Sequence, residues 1–174
     1  MVQATTKERI YVFDSSIFIN LNRINEHSIE IPKDVWDKLD ELMTAERIIS
    51  QRYVYEEVVM NSKTPDKVSA WLAPKKAYFF KENAEQIAFM IEVIQKYPKL
   101  INPNNEKEQA DPWLVALARD KNLIEPEKSF VLVTQENPNK TVNLPAACKE
   151  YGIETINLRQ FFNEVGIVFG VAFE

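Results

Sequence analysis

The chain has 174 residues, of which 45% are apolar and 27% are charged, and 21 basic against 26 acidic side chains give a net charge of −5. This length and apolar fraction predict one domain with a substantial core, spanning residues 1–174. The single cysteine, Cys148, excludes an intramolecular disulfide, and the single histidine, His27, excludes a pair of catalytic imidazoles. With no leader pattern and no apolar run near the roughly 20 residues of a membrane helix, we expect a cytoplasmic protein without a membrane partner.

Short apolar runs alternate along the chain with segments of helical periodicity. Strands are predicted at residues 9–13, 47–49, 130–134 and 153–156. Helices are predicted at about residues 15–21, 32–43, 51–60, 65–72, 82–97, 112–120, 145–150 and 158–164, with Ser50 as the cap of the third. The strand runs are continuous rather than alternating, which favours burial on both faces. The sequence therefore predicts an α/β fold with a mostly parallel sheet.

Two acids follow predicted strands, where a parallel sheet forms its sites. Asp14 comes directly after the first strand, and Glu136 lies two residues beyond Thr134, the last residue of the clearest strand. Each also has a purely structural interpretation. Asp14 is a good helix N-cap, and Glu136 fits an exposed loop.

Other acids stand at helix starts and helix edges. Asp111 precedes Pro112 and is a natural N-cap, but the helix that follows is apolar on most sides, so a buried carboxylate there needs a partner or a cation. Glu56 and Glu57 flank an apolar helix face about equally, and periodicity does not distinguish them.

Collected carboxylates point to a divalent cation. Neighbouring carboxylates raise one another's pKa, whereas Mg²⁺ or Mn²⁺ favours several oxygen ligands together. Such ions can activate a water and position a phosphodiester for in-line attack. The sequence lacks a glycine-rich phosphate loop and a Cys/His zinc pattern, so a cation held by acids is the chemistry that remains.

The segments YVFDSS, YVYEEV, EQADPWLVALA and FVLVTQEN occur in an order and spacing that resemble the PIN-domain ribonucleases, and most closely VapC-like members with an ADPWL block. The resemblance covers about residues 11–162. It implies a three-layer α/β/α sandwich whose acids bind one or two Mg²⁺ or Mn²⁺ ions and hydrolyse RNA to a 5′-phosphate and a 3′-hydroxyl.

The resemblance also assigns residues and partners. Asp14, Glu57 and Asp111 match the first three acids, and Glu136 stands where the family usually has Asp, which makes indirect ligation through water an open alternative. Ser16 matches the Asn or Ser that orients the metal shell. Related toxins are held by a cognate antitoxin, often as dimers, so an antitoxin, an RNA substrate and a homodimer are expected partners. The apolar stretch at residues 167–173 suits such a contact or a last core strand.

The acidic charge is the main argument against an RNA-binding protein. Four carboxylates bound to cations would account for most of the excess, and five lysines could line a substrate groove or form a solvated face: Lys63, Lys67, Lys75, Lys76 and Lys81. A haloacid-dehalogenase-type phosphatase is disfavoured, because Ser16 replaces the second Asp that its chemistry requires. A catalytically degenerate PIN fold that binds proteins is the alternative function.

Overall fold

The computed structural model describes residues 6–26 and 30–168. His27 and the last part of the apolar C-terminal stretch, from residue 169 onwards, lie outside the described residues, so the predictions made for them stay predictions. None of the helices in the described ranges is both long enough and apolar enough to cross a lipid bilayer.

A parallel sheet forms the centre of the part of the chain that the structure describes. Its five strands are β1 (Glu8–Phe13), β2 (Ile48–Gln51), β3 (Phe79–Phe80), β4 (Lys128–Val133) and β5 (Thr155–Ile156). They lie in the order β3-β2-β1-β4-β5, and every neighbouring pair is parallel. The predicted α/β fold with a parallel sheet is confirmed.

Helices flank this sheet in a three-layer α/β/α arrangement. They are α1 (Ser15–Glu26), α2 (Lys33–Thr44), α3 (Arg52–Tyr55), α4 (Lys67–Leu72), α5 (Ala84–Lys96), α6 (Asp111–Ile124), α7 (Leu144–Glu150) and α8 (Leu158–Val165). A π-helical turn, Glu56–Met60, continues α3, and 3₁₀ turns follow α4 and α5 at Ala73–Tyr78 and Pro98–Leu100.

Aromatic rings join α1 and α8 to the central strand. Tyr11 and Phe13 lie two residues apart on β1 and therefore share one face of the sheet. Phe161 of α8 contacts both, with ring centroids 4.8 and 4.9 Å away, and Phe18 of α1 lies 5.6 Å from Phe13. All four side chains are almost completely buried. This packing fixes the end of β1, and with it the residue that follows.

The predicted helix cap Ser50 is wrong, and the capping interpretation of Asp111 does not hold. Ser50 is a residue of β2, where its hydroxyl donates to the main-chain oxygen of Phe13 at 2.6 Å. The cap of α3 is the next residue, Gln51, whose side chain accepts a hydrogen bond from the Tyr53 amide. Asp111 is the first residue of α6, and its N-cap is Ala110. The carboxylate of Asp111 is therefore free of the capping role that its sequence context indicated.

The strand order places a crevice beside β1. From β1 the chain proceeds to β2 and β3 on one side, and it later returns to form β4 and β5 on the other side. The boundary between β1 and β4 is thus a topological switch point, where ligands of open α/β sheets bind beyond the carboxyl ends of the strands. Asp14 lies at this boundary, because its amide donates to the Val133 oxygen at 3.1 Å.

An ion pair between Arg52 and Glu82 links α3 to the segment before α5, and it should contribute to stability. Arg52 donates to both oxygens of Glu82 at 2.6 and 2.7 Å, and these bonds lower the pKa of Glu82 to about 2. Because the pair is partly exposed, we expect Glu82→Gln to lower the free energy of unfolding by about 1–2 kcal/mol at pH 7. A depressed carboxyl pKa stabilises the fold above the unfolded pKa, so this difference should shrink as the pH falls from about 4.5 towards 2.

Urea unfolding of the wild-type protein and of Glu82→Gln, at pH 7 and at pH 3, measures the effect of the substitution. Glu85→Gln is the matched control, because Glu85 is exposed in the first turn of α5. An equal effect of the two substitutions, or a difference that grows on acidification, would show that the Arg52 pair does not act in this way.

Candidate functional site

Asp14 lies at the carboxyl end of β1 and is held by hydroxyl groups. Its side chain is only 2% exposed. Oδ2 accepts hydrogen bonds from Ser16 at 2.6 Å and from Thr134 at 2.8 Å, whereas Oδ1 has a longer contact of 3.3 Å from Ser15. Ser16 therefore lies where it was expected, beside the first acid. The less occupied oxygen, Oδ1, is the one available for a ligand.

Glu57 approaches the same region from the π-helical turn. Its Oε1 accepts a hydrogen bond from the Ala110 amide at 3.0 Å, and the Ser15 hydroxyl lies near enough to its carboxyl group to lower the pKa of Glu57. Glu56 instead points to Arg52, with which it forms a 3.0 Å ion pair. The structure thus distinguishes the two glutamates that helical periodicity left equivalent. Burial raises the pKa of Glu57, and the charge of Asp14 adds to this increase.

Asp111 begins α6, a helix whose next seven residues, from Pro112 to Ala118, are all buried. The pKa of Asp111 is raised to about 8, which makes it an unusually weak acid. Burial is the largest cause, followed by the charges of Asp14, Glu136 and Glu57. Three acids from three other segments of the chain therefore lie near enough to act on this carboxyl group.

Glu136 lies on the loop after β4 and is connected to Asp14 through Thr134. The amide of Glu136 donates to the Thr134 hydroxyl at 3.2 Å, and that hydroxyl donates to Asp14. The carboxylate of Glu136 accepts a bond from the Leu144 amide at 3.2 Å, at the start of α7. Burial raises the pKa of Glu136, and the Asp14 charge acts in the same direction.

Hydrogen bonds relate Asp14 to the Glu136 main chain and Glu57 to the residue before Asp111, while Asp111 itself is influenced by the charges of the other three acids. Thr134 joins Glu136 to Asp14, Ser15 lies between Asp14 and Glu57, and Glu57 bonds to the residue before Asp111. We call the four acids (Asp14, Glu57, Asp111 and Glu136) the carboxylate cluster. The structure brings together every acid that the sequence analysis selected.

The charge of the carboxylate cluster suits a divalent cation, because mutual repulsion between carboxylates falls when a cation binds. Within residues 6–26 and 30–168, no three His, Cys, Asp or Glu side chains form a ready-made group for holding a metal ion. Mg²⁺ usually keeps several waters and binds only one or two carboxylates directly. An ion bound here would therefore have one or two of the acids as direct ligands and water in its other positions.

Three further residues lie near the carboxylate cluster and were not predicted to belong to it: Thr134, Glu108 and Cys148. Thr134 was assigned to a strand, but its hydroxyl binds Asp14. Glu108, three residues before Asp111, accepts a bond from the Trp113 indole at 2.7 Å. Cys148 is completely buried, and burial followed by the nearby acidic charges raises the pKa of its thiol, which keeps it protonated.

The five lysines proposed for a substrate groove do not form a uniform cationic surface. Lys67 and Lys75 form ion pairs with Glu30 and Asp40, at 3.4 and 3.1 Å. Such pairing reduces what these two residues can contribute to phosphate binding.

The fold and the site define a class: an α/β protein with a cluster of one buried and three partly buried acids at the carboxyl edge of a parallel sheet. More particularly, the chain belongs to the family described as a domain of unknown function (DUF4411), whose model matches residues 11–169. No curated protein matches the chain.

Proposed function

We propose that this protein is a metal-dependent ribonuclease of the PIN type, with the carboxylate cluster as its active site. The observation that carries the proposal is that four acids from four distant segments lie close enough at the switch point of the sheet for the charges of Asp14, Glu57 and Glu136 to raise the pKa of Asp111. Buried and partly buried carboxylates do not gather in this way without a cost in free energy. A divalent cation would offset that cost.

Asp14 and Asp111 are the residues that would hold the cation directly. Asp14 has one oxygen with only a long contact, and the hydrogen bonds found among the described residues include none to the Asp111 carboxyl group. Glu57 and Glu136 each have an oxygen bonded to a main-chain amide, so they would act through water. When bound, Mg²⁺ or Mn²⁺ would neutralise charge on the phosphate and orient it.

The reaction proposed for the carboxylate cluster is hydrolysis of an RNA phosphodiester. A water oxygen forms a bond to phosphorus, the bond from phosphorus to the 3′-oxygen breaks, and the 3′-oxygen takes up a proton. Glu57 and Glu136 are suited to accept the proton of the attacking water, because burial raises the pKa of both groups and so makes their carboxylates stronger bases. The products would be a 5′-phosphate and a 3′-hydroxyl.

Two clefts beside the carboxylate cluster offer room for a single strand. One, of about 280 Å³, is lined by Glu57 together with Arg23 and Ser62. The other, of about 350 Å³, is lined by Glu136 and by neutral polar side chains that include Asn157 and Gln160. Because few positively charged side chains line these clefts and the net charge of the chain is −5, we expect weak, salt-sensitive binding of RNA.

Incubation of the purified protein with single-stranded RNA tests the proposed activity. We expect cleavage with Mg²⁺ or Mn²⁺, none with EDTA, and 5′-phosphate ends on the products. A single-stranded DNA of the same sequence, incubated in parallel, shows whether cleavage requires the ribose sugar. Absence of cleavage with both ions, under conditions in which Mn²⁺ binding is measured, would favour the alternative of a protein-binding PIN-like domain.

We further propose that the protein is the toxin of a cytoplasmic toxin–antitoxin pair, with the antitoxin as its protein partner and a homodimer as its assembly. Expression in a bacterial host should arrest growth, whereas Asp14→Asn expressed to the same level should not. If both proteins leave growth and cellular RNA unchanged, the toxin proposal is wrong.

A further inference from the structure

Gln51 has a buried hydrogen-bond donor without a partner. The residue ends β2, and its side chain is completely buried. Its Oε1 accepts the Tyr53 amide at 2.7 Å as the cap of α3, and this bond identifies which end of the side-chain amide is oxygen. The other end, Nε2, has no hydrogen-bond partner. A buried unpaired donor costs about 1–3 kcal/mol, so its retention calls for an explanation.

The register of the sheet places Gln51 beside Asp14. β1 and β2 pair with Tyr11 opposite Ile48 and Val12 opposite Ile49. The same register, continued past the end of β1, brings Asp14 level with Gln51, and paired residues of parallel strands share a face. On the other side of Asp14, Thr134 occupies the equivalent position after β4 and donates to its carboxylate.

A second contact relates Gln51 to the start of α6. Tyr53, whose amide Gln51 caps, packs its ring against Trp113, with centroids 5.4 Å apart. Trp113 lies two residues after Asp111 in the first turn of α6. Gln51 thus ends the strand next to the one that leads to Asp14, and through Tyr53 it is connected to the first turn of the helix that begins with Asp111.

We propose that Gln51 is a positioning residue of the cation site, and that its Nε2 donates to a water held between Asp14 and Asp111. This inference rests on the proposed function in so far as it requires a divalent cation there. Water is the partner that fits the unpaired Nε2 of Gln51. The side chain is too deeply buried to touch RNA, and buried waters commonly satisfy otherwise unpaired polar groups. A cation with two carboxylate ligands also requires oriented waters to complete its shell.

A neutral amide suits the position of Gln51 better than a charged donor would. The water would have carboxylates on its other sides, and these can only accept hydrogen bonds. An amide donates without adding a positive charge that would compete with the cation. Loss of an outer hydrogen bond of this kind typically lowers metal affinity or activity about 10- to 100-fold.

Two substitutions separate this role from the capping role. Gln51→Ser keeps an oxygen that can cap α3 but removes Nε2, and its hydroxyl lies two bonds short of the Nε2 position. Gln51→Asn keeps both the oxygen and the NH₂ group on a side chain one methylene shorter. We measure Mn²⁺ binding by titration calorimetry and the thermal midpoint in EDTA, without RNA. We expect Gln51→Ser to weaken Mn²⁺ binding about 10-fold while the midpoint in EDTA changes by less than about 2 °C, with partial recovery of affinity in Gln51→Asn.

Each outcome of this experiment has a distinct meaning. Wild-type affinity for Mn²⁺ in Gln51→Ser, or a lower midpoint with unchanged affinity, would overturn the proposal and leave Gln51 as a helix cap only. If the wild-type protein binds Mn²⁺ and Gln51→Ser binds it weakly, yet neither cleaves RNA, the positioning role stands and the ribonuclease proposal fails. If the wild-type protein binds no Mn²⁺, both proposals fail.

Discussion

Asp111→Asn should make the metal-free protein more stable at neutral pH, although it removes a proposed ligand. Burial and three neighbouring acids raise the pKa of Asp111 to about 8, so the folded state holds this proton more tightly than the unfolded state does. Stability is then lost as the pH rises from the ordinary carboxyl pKa of about 4 to about 8. A neutral Asn lacks this dependence. We expect a gain of about 1–3 kcal/mol in the free energy of unfolding at pH 7, allowing for the partial exposure of the side chain.

Urea unfolding in EDTA at pH 5, 7 and 9 measures this gain, which should grow between pH 5 and pH 8 and then level off. Asp34→Asn is the control, because Asp34 is exposed in the first turn of α2. Addition of Mn²⁺ should stabilise the wild-type protein, since a ligand of the folded state shifts the unfolding equilibrium, and should stabilise Asp111→Asn less. A loss of stability in metal-free Asp111→Asn would mean that the carboxyl group is held by favourable contacts rather than by repulsion.

The edge of the sheet that holds the site was predictable from sequence because it depends on local patterns. The run before Asp14 and the run before Glu136 are continuous and apolar, and parallel strands end at a common edge. Two strands so defined become neighbours, β1 and β4, and their following residues meet. The apolar character of α6 likewise predicted that Asp111 lies at a buried helix start.

Features that depend on tertiary pairing were not predictable in this way. β3 has only two residues, and it is a strand because Phe79 and Phe80 pair with the end of β2. Ser50 resembles a helix cap in sequence, but it extends β2 by bonding to Phe13. The side of the helix on which Glu57 lies depends on a π turn, in which Asn61 donates to the Glu56 oxygen, and helical periodicity assumes no such turn.

The unpaired amide of Gln51 illustrates the same limit at the site. Its type gives no signal in the sequence, since glutamine is common on protein surfaces. Its significance comes from complete burial, from a cap bond that occupies one end of the amide, and from a register that places it level with Asp14. Each of these is a property of the assembled sheet.

Asp14→Asn should have the largest effect on activity of any single substitution considered. Asn has nearly the same shape, and its amide oxygen can still accept hydrogen bonds from Ser16 and Thr134, which are 2.6 and 2.8 Å from Oδ2 in the wild-type protein. The oxygen that it loses is Oδ1, the one available to a cation. We expect the rate of Mn²⁺-dependent RNA cleavage to fall at least about 100-fold, and Mn²⁺ affinity to fall at least about 10-fold.

Single-turnover cleavage at saturating Mn²⁺ separates the two effects of Asp14→Asn, because it measures the chemical step after the loss of affinity has been compensated. The thermal midpoint in EDTA should not fall, since the hydroxyl contacts persist and one negative charge leaves the carboxylate cluster. Asp34→Asn, which changes the net charge equally, should cleave RNA at the wild-type rate. Cleavage by Asp14→Asn within threefold of wild type would show that RNA hydrolysis by this protein occurs at a site other than the carboxylate cluster, even if the cluster binds the ion.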